Sequence, residues 1–312
     1  MPESLAFETD LFSPKRVSFP SEYSFKDYPL KDDNTELLNP KDAVMNPVVA
    51  PTATLVQKVL AELIGTYIFV FVGGASALAH RDDPLPIEAT ALVWGLSFMV
   101  LKYAFAHISG AFMNPASTFA FALVKKVPWR NVPIFWMAQI SGSTLAALNL
   151  RLLFHHQHDI RPAVTQVLSP YTPLQGLGWE YTIAFILTIV SAGVATDSRA
   201  HKPLFAVAIG ATVVFNVIIA GDISGAAMNP ARSMGPAIVA GEFNDLWVYV
   251  LGPFLGCSTA TLLYDVLRLP DPDQQPKESP KVIFNNLYTH ELPTTYNQNA
   301  KHIENFRKVL NV

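Results

Sequence analysis

Two ten-residue segments carry the residue types and spacing that could do chemistry. Residues 107–116 read His-Ile-Ser-Gly-Ala-Phe-Met-Asn-Pro-Ala, and residues 222–231 read Asp-Ile-Ser-Gly-Ala-Ala-Met-Asn-Pro-Ala. Eight of the ten positions match, so the chain contains an internal repeat at an offset of 115 residues. Neither copy pairs a nucleophile with a base or forms a nucleotide-binding loop, so no enzyme is predicted. Each copy instead offers amide and carbonyl groups for hydrogen bonds to a neutral molecule.

The Asn-Pro-Ala box that ends each segment is typical of a helix start. Asparagine is favoured at the N-cap, and proline at the first helical position loses no hydrogen bond. The predicted helices, Pro115–Val124 and Pro230–Ala240, are apolar but only about ten residues long, which is half the thickness of a bilayer. They are therefore interpreted as re-entrant half-helices. The residues of the two boxes are Asn114, Pro115, Ala116, Asn229, Pro230 and Ala231.

Half-helices that enter from opposite faces would bring the two asparagines together at the membrane centre. Each helix N-terminus is equivalent to roughly half a positive charge, so this centre should repel cations and orient a passing water with its oxygen inward. Irregular backbone at this depth is tolerated where it lines a cavity. We therefore expect extended backbone before each box. Its exposed pore carbonyls would belong to Gly110, Ala111, Phe112, Gly225, Ala226 and Ala227.

The composition indicates the membrane that such half-helices require. Half of the 312 residues are hydrophobic and only 15% are charged, whereas soluble domains carry about a quarter charged residues. Long apolar runs predict six spanning helices of about 20 residues each. They are Leu55–Ala79, Ile87–His107, Val132–Phe154, Gly178–Thr196, Pro203–Ala220 and Leu246–Leu267. Residues 55–268 are thus predicted to form a channel domain between two disordered tails, 1–54 and 269–312.

The predicted fold is an all-α membrane protein with six transmembrane helices, two re-entrant half-helices and an inverted repeat. Each box follows the second span of its half, so an odd number of spans separates equivalent points and the halves lie upside down to each other. Six spans place both tails on one side of the membrane. Most Lys and Arg residues that flank the spans lie on that tail side, which is therefore predicted to be cytoplasmic. The plasma membrane is the default location.

Small residues four positions apart predict places where two helix backbones approach closely. The expected contacts lie within one bundle, with a subunit interface as the alternative. The pairs are Gly142 with Ala146, Ala206 with Gly210, and Gly252 with Gly256.

Each half also carries one acid early in its first span, Glu62 or Glu180. A carboxylate in lipid is unfavourable and should face the protein interior. Backbone N–H groups of the loop that re-enters from the same half are the expected partners, which makes each acid a structural brace. The alternative is a proton carrier in an ion-coupled secondary transporter, a class that also uses inverted repeats and broken helices.

Together these features resemble the aquaporin, or major intrinsic protein, family over about residues 55–268. The resemblance rests on both boxes, on Ala61-Glu62-Leu63, on Asn-Pro-Ala-Arg-Ser at 229–233 and on Gly252-Pro253-Phe254. It implies a homotetramer in a lipid bilayer, with one pore in each subunit. It also implies that Arg232 and three further side chains form the outer constriction. Matched by their distance from the boxes, those three are Trp94, Val217 and Ala226.

The constriction residues predict the passage of water and glycerol. Water-selective members of the family resemble this sequence except that they carry Phe, His and Cys or Thr where it has Trp94, Val217 and Ala226. The set Trp-Val-Ala-Arg resembles that of plant nodulin-like intrinsic proteins, which pass glycerol. Val250 is also of the glycerol type. Three other positions favour a strictly water-selective channel as the alternative; they are Ser233, Ala237 and Tyr249.

Other classes of function find little support. The net charge of −3 does not suggest a nucleic-acid partner. His155, His156 and His158 have a spacing that could hold a metal ion, but no fourth ligand is evident, so a solvated loop is preferred. Neither a metal nor a cofactor is predicted. A non-conducting membrane scaffold is the remaining alternative, and the intact boxes and Arg232 argue against it.

Overall fold

The computed structural model of the chain describes residues 52–154, 159–200 and 202–268, and all regular structure in these ranges is helical. The predicted tails lie outside the described residues, apart from residues 52–54. A π-helical turn, Ala192–Thr196, continues the fifth helix. The α-helices of the described ranges are α1 Leu55–Ala79, α2 Ile87–Ser109, α3 Pro115–Leu123, α4 Val132–Leu153, α5 Pro173–Ser191, α6 Phe205–Ser224, α7 Pro230–Ala240 and α8 Leu246–Leu267.

The six long helices correspond to the predicted spans, and the short α3 and α7 correspond to the predicted half-helices. Within the described ranges, five helices are long and apolar enough to cross a membrane. The sixth, α4, has 22 residues but is less apolar, because it carries polar side chains that form hydrogen bonds to other helices. Gln139 donates to Glu62 on α1 and to Thr118 on α3, and Asn149 donates to the Tyr67 hydroxyl.

The start of α5 differs from prediction because a local cap extends the helix beyond its apolar run. α5 begins at Pro173 and not at Gly178. Thr172 and Gln175 form a capping box, in which the Thr172 hydroxyl accepts from the Gln175 N–H and the Gln175 side chain accepts from the Thr172 N–H. These two bonds satisfy N–H groups that the helix itself leaves unpaired.

The helices before the two boxes, α2 and α6, end later than predicted, at Ser109 and Ser224. The next residue in each case is a glycine in the left-handed region, Gly110 at φ +94° and Gly225 at φ +77°. Glycine adopts this conformation without the strain of a side chain, so it ends each helix. The added length brings each serine to the buried acid of its half.

Small residues bring the long helices together in pairs inside this one chain. A Cβ atom built on Gly142 of α4 would lie 2.3 Å from the Leu63 carbonyl oxygen of α1. One built on Gly256 of α8 would lie 2.2 Å from the Tyr181 carbonyl oxygen of α5, and Gly210 of α6 faces the backbone of α2 in the same way. The backbones are therefore in direct contact, which confirms the predicted close packing within one bundle at these glycines.

Gly142→Ala is expected to destabilise the channel in detergent, because the new methyl would meet the Leu63 backbone, which cannot move aside as a side chain can. Separating α1 from α4 should lower the free energy of unfolding by roughly 1–3 kcal/mol. The matched control is Gly178→Ala on α5, where a Cβ meets nothing within 4 Å and alanine favours the helix. Thermal unfolding followed by circular dichroism compares the two variants. Equal unfolding temperatures would contradict the packing argument.

Candidate functional site

The two Asn-Pro-Ala boxes meet in the interior of the bundle. The side-chain oxygen of each asparagine caps its own half-helix, at 2.9 Å for Asn114 and 3.0 Å for Asn229 from the N–H two residues on. Each side-chain nitrogen donates to the other half, from Asn114 to the Met228 carbonyl at 2.8 Å and from Asn229 to the Met113 carbonyl at 2.7 Å. An amide nitrogen carries two hydrogens, so these bonds leave one N–H of each asparagine for another acceptor.

The backbone before each box is not extended, so that prediction is wrong. Three positions in each half lie in the left-handed region: Gly110, Ala111 and Met113 at φ +94°, +47° and +51°, and Gly225, Ala226 and Met228 at φ +77°, +44° and +55°. Left-handed residues in such a turn aim successive N–H groups to one side and form a nest for an anion. The loops therefore wrap around a negative group; the sequence predicted this contact but not the left-handed backbone that makes it.

The carboxylates of Glu62 and Glu180 fill these nests, and both are fully buried. Glu62 accepts from two consecutive loop N–H groups at 2.9 and 2.6 Å and from the Ser109 hydroxyl at 2.6 Å. Glu180 does the same in the other half, at 2.9 and 2.7 Å and from the Ser224 hydroxyl at 2.7 Å. Gln139 adds a further bond to Glu62 at 2.8 Å. Both acids thus bind the re-entrant loops that a structural brace would have to hold.

The four predicted constriction residues lie together. The Cζ atom of Arg232 is 4.6 Å from the centre of the Trp94 ring, a cation–π distance. Its Nη2 donates to the Gly225 carbonyl at 3.5 Å, and its Nη1 is buried without a hydrogen-bond partner in the described part of the chain. Val217 and Ala226 are buried beside them. Three apolar side chains and one guanidinium therefore line the same short stretch.

Three cavities in a row along α2, a narrow one between two wide ones, outline the path past these residues. Trp94, Phe98 and Lys102 lie on successive turns of α2 and line, in that order, a wide far-side vestibule, a narrow segment and a wide tail-side vestibule. The far-side vestibule, which Arg81 also lines, encloses about 540 Å³, and the tail-side vestibule, which Lys126 also lines, encloses about 520 Å³. The narrow segment has only about 10 Å³, roughly the space for one water molecule.

Of the predicted pore carbonyls, those at five positions belong to residues that line this path. Gly225 lines the far-side vestibule, Ala226 and Ala227 line the narrow segment, and Gly110 and Phe112 line the tail-side vestibule. Ala111, the sixth position, is fully buried. Both asparagines also line the narrow segment.

Residues 50–264 match the family model described as Major intrinsic protein. The chain belongs to the major intrinsic protein family. This confirms the family that the boxes and spans predict. Aquaporins of this family are passive channels, so the chain is a multi-pass membrane channel and not an enzyme.

Curated relatives and a solved structure agree with this assignment. The channel is 45% identical to "Aquaporin NIP1-1" of Oryza sativa subsp. japonica over 222 residues, which cover 70% of this chain and 77% of that one. It is 42% identical to "Nodulin-26" of Glycine max over 217 residues, 69% of this chain and 79% of that one. The aquaglyceroporin structure from Plasmodium falciparum matches with a TM-score of 0.63 over 68% of this chain and 96% of that chain, at 21% identity. That likeness shows the shared fold.

Sequence reasoning missed part of the narrow segment of the channel. Further apolar side chains line it: Phe69, Phe98, Leu187 and Val213. Phe98 and Val213 lie one helical turn from Trp94 and Val217, so periodicity could have found them. Gly73 of α1 was also missed. A Cβ there would lie 2.1 Å from the Trp94 ring, so only glycine makes room for the indole in this position.

Lys102 is a charged residue of the channel that sequence reasoning passed over. It lies inside α2, is only 8% exposed, and donates from Nζ to the Gly110 carbonyl at 3.4 Å. An ionisable residue within a span is a candidate functional residue by default. The run Met-Val-Leu-Lys-Tyr-Ala-Phe therefore carried a signal.

The positions that favoured a strictly water-selective channel are buried beside the passage. Ser233, Ala237 and Tyr249 are at most 2% exposed, and none of them is among the described residues that line the narrow segment. The Tyr249 hydroxyl donates to the Ser224 carbonyl at 2.8 Å. Tyr249 therefore supports the re-entrant loop and does not touch a permeating molecule there.

An ion-pair group lies in the far-side loop between α4 and α5. The Arg161 side chain donates to Asp159 at 3.0 Å, and this hydrogen bond lowers the pKa of the Asp159 carboxyl below its ordinary value. Asp159 therefore stays charged near neutral pH, and Arg81 of the far-side vestibule lies 3.4 Å from it. The three histidines at 155, 156 and 158 lie outside the described residues. Within the described ranges no group of side chains could hold a metal ion.

Proposed function

We propose that the channel passes water and small neutral solutes such as glycerol and excludes ions and protons. The observation that carries the proposal is the lining of the narrow segment, where Arg232 offers donors while Trp94, Val217 and Ala226 supply apolar surface. A polyol needs both, because its hydroxyl oxygens accept hydrogen bonds while its carbon backbone requires apolar contact. The 45% identical relative is itself named an aquaporin.

Ion exclusion follows from the positive groups that face the passage. The Nη1 of Arg232 has no hydrogen-bond partner among the described residues, and Asn114 and Asn229 each keep one N–H for a permeating oxygen. The N-termini of α3 and α7 add positive potential at the same depth. A cation is repelled there. A water is held with its oxygen toward the donors, which interrupts the chain of waters along which a proton could pass.

Strict water selectivity is the second candidate, and one observation favours it: the narrow segment has only about 10 Å³. Glycerol is larger than the one water that this space holds, so the small volume favours water over glycerol. An ion-coupled transporter is disfavoured because Glu62 and Glu180 are occupied by hydrogen bonds to their loops. A non-conducting scaffold is disfavoured by the vestibules at both ends of the path.

Flux measurements on proteoliposomes test the proposal. Stopped-flow light scattering gives the rate of water efflux in an impermeant osmolyte and the rate of re-swelling in glycerol. We expect both rates to exceed those of empty liposomes. Water flux without glycerol flux would establish the strictly water-selective alternative. Uptake that saturates and depends on a proton or sodium gradient would establish a transporter. If neither water nor glycerol passed, the non-conducting scaffold would be the remaining function.

Arg232→Val is expected to keep water flux within about twofold of the unmodified channel and to raise the proton or cation leak by at least about threefold. The change removes the buried charge that lines the far-side end of the narrow segment. A pH-sensitive dye inside the liposomes measures the leak. Arg130→Val, at an exposed arginine in the tail-side turn after α3, is the matched control and should not leak. An unmodified channel that leaks as fast as it passes water would disprove ion exclusion.

We also propose that the channel domain, residues 55–268, assembles as a homotetramer in the plasma membrane with both tails cytoplasmic. The family match over residues 50–264 supports the extent of the domain. Lysine residues around the tail-side vestibule, such as Lys126 and Lys202, support the orientation. Native mass spectrometry in detergent gives the oligomeric state. Protease protection of tagged tails in sealed cells gives the orientation, and a fluorescent fusion gives the membrane.

A further inference from the structure

The inverted repeat gives the outer constriction a counterpart at the other end of the narrow segment. The offset of 115 residues that relates the two boxes also relates α2 to α6. At this offset Val217 corresponds to Lys102, and Trp94 corresponds to Ile209. Lys102 and Ile209 both line the tail-side vestibule. Two residues that stand in the far-side constriction thus have their equivalents around the tail-side entrance, and one of these equivalents is charged.

Lys102 contacts its loop in the way that Arg232 contacts the other loop. The Lys102 Nζ donates to the Gly110 carbonyl at 3.4 Å, and the Arg232 Nη2 donates to the Gly225 carbonyl at 3.5 Å. Gly110 and Gly225 are equivalent positions of the repeat. A cation therefore lies at the same backbone carbonyl at each end of the path, although one comes from a long helix and the other from a half-helix.

Aromatic rings accompany both cations. The Lys102 Nζ is 5.2 Å from the centre of the Phe98 ring and 5.8 Å from that of Phe112, as Arg232 is 4.6 Å from that of Trp94. Rings at these distances attract a cation through their faces. They help to hold the ammonium at the entrance to the narrow segment, which Phe98 lines.

The brace does not require this lysine. Glu62 accepts four hydrogen bonds, from Ser109, two loop N–H groups and Gln139, and none of them comes from Lys102. In the other half Glu180 holds its loop in the same way, although Val217 stands at the position equivalent to Lys102. No hydrogen bond of the brace therefore depends on the lysine, although its charge also interacts with the Glu62 carboxylate, as that of Arg232 does with Glu180.

The ammonium has donors to spare, and among the described residues no acid lines the cavity with it. It carries three N–H groups, and the Gly110 carbonyl takes one. Among the described residues, the lining of the tail-side vestibule includes Lys102, Lys126 and Lys202 but neither Asp nor Glu. A molecule that enters from this end therefore meets a positive potential and free hydrogen-bond donors before it reaches the narrow segment.

We propose that Lys102 is a second selectivity residue, which acts at the tail-side entrance of the narrow segment. Its ammonium donates to the oxygen atoms of water and polyols and repels cations, in series with Arg232 at the far-side end. The inference rests on the proposed exclusion of cations. Two barriers in series have a clear signature: removing either one leaves the other in place, so the cation leak is largest when both are removed.

Proton and potassium leak in proteoliposomes tests the proposal with Lys102→Met, Arg232→Val and the double variant. We expect Lys102→Met alone to leak within about twofold of the unmodified channel, and circular dichroism with a single peak in size-exclusion chromatography shows that it has folded. The double variant should leak at least about fivefold more than Arg232→Val. A double variant that leaks no more than Arg232→Val, from a tight unmodified channel, overturns the role of Lys102 alone. A leaky unmodified channel overturns the proposed ion exclusion and this inference with it.

A second measurement does not depend on the double variant. Cys257 is the single cysteine of the chain and is fully buried, so a cysteine placed elsewhere can be modified selectively. Lys102→Cys treated with the membrane-permeant benzyl methanethiosulfonate should lose at least about half of its water flux, because the attached benzyl group is larger than the lysine side chain and stands in the path. Lys125→Cys, at an exposed neighbouring lysine, should keep its flux. Unchanged flux in modified Lys102→Cys would overturn the proposed place of Lys102 at the entrance.

Discussion

The double variant Val217→His with Ala226→Cys is expected to conduct glycerol at least about tenfold more slowly than the unmodified channel, while its water flux falls much less. Both residues line the narrow segment, which has only about 10 Å³ of free space. Glycerol fills more of this segment than water does, and an imidazole and a thiol leave it less room than an isopropyl and a methyl group. A tenfold fall corresponds to a barrier of about 1.4 kcal/mol. Water is smaller by three carbons and still fits.

The two fluxes of one preparation provide the control. Water flux in the same liposomes shows that the variant has folded, and the single variants Val217→His and Ala226→Cys apportion the effect. Equal falls in both fluxes would place the constriction elsewhere in the path. An unmodified channel that passes no glycerol would mean that Ser233, Ala237 and Tyr249 were the better guide to its selectivity.

Glu180→Ala is expected to abolish conduction, with water flux reduced by more than about tenfold. The change removes the acceptor of three buried donors, namely the N–H groups of Ala227 and Met228 and the Ser224 hydroxyl. A buried donor without a partner costs about 1–3 kcal/mol, so the three unpaired donors destabilise the loop by roughly 3–9 kcal/mol. It then no longer holds Ala226 at the narrow segment. Stopped-flow flux and thermal unfolding measure the two consequences.

Two comparison variants separate bracing from charge. Glu180→Gln keeps the shape but places an amide N–H₂ where an acceptor is needed, so its flux should lie between those of Glu180→Ala and the unmodified channel. Glu88→Ala, at an exposed acid in the first turn of α2, should behave as the unmodified channel does. Normal flux and stability in Glu180→Ala would show that the loop holds its conformation without the carboxylate.

The elements of this fold could be predicted from sequence because a bilayer restricts both their length and their polarity. The ends of α1 and α8 and the starts of α3 and α7 coincide with prediction, since apolar runs and an Asn-Pro pair mark them. The start of α5 was missed because the capping box of Thr172 and Gln175 lies in a polar stretch before the apolar run.

The loop conformation could not be predicted in the same way. Left-handed backbone is rare for alanine and methionine, so Ala111 and Met113 carry no local mark of it. The reason lies on another helix, where the Glu62 carboxylate receives the loop N–H groups. The hydrogen bonds between the acid and these groups were expected from the sequence. The left-handed backbone that they require can be seen only in the three-dimensional structure, where the loop and the acid are both in position.

The constriction residues came from the resemblance to a family and not from physical reasoning about the chain. Trp94 and Val217 belong to different helices, and nothing in the apolar pattern of either helix distinguishes them from their neighbours. Gly73, on a third helix, decides where the Trp94 ring can lie. Residues that meet across three helices share no spacing in the sequence, so only the assembled bundle shows which of them form one ring.

The crossed hydrogen bonds of the two asparagines have a consequence for how the channel is made. The Asn114 amide donates to the carbonyl of Met228, and the Asn229 amide donates to that of Met113. During synthesis the first half therefore inserts with its central amide unpaired, and it stays so until more than a hundred further residues have left the ribosome. We expect the nascent first half to keep its loop hydrated and open to proteolysis, and the path to take shape in one cooperative step when the second loop arrives.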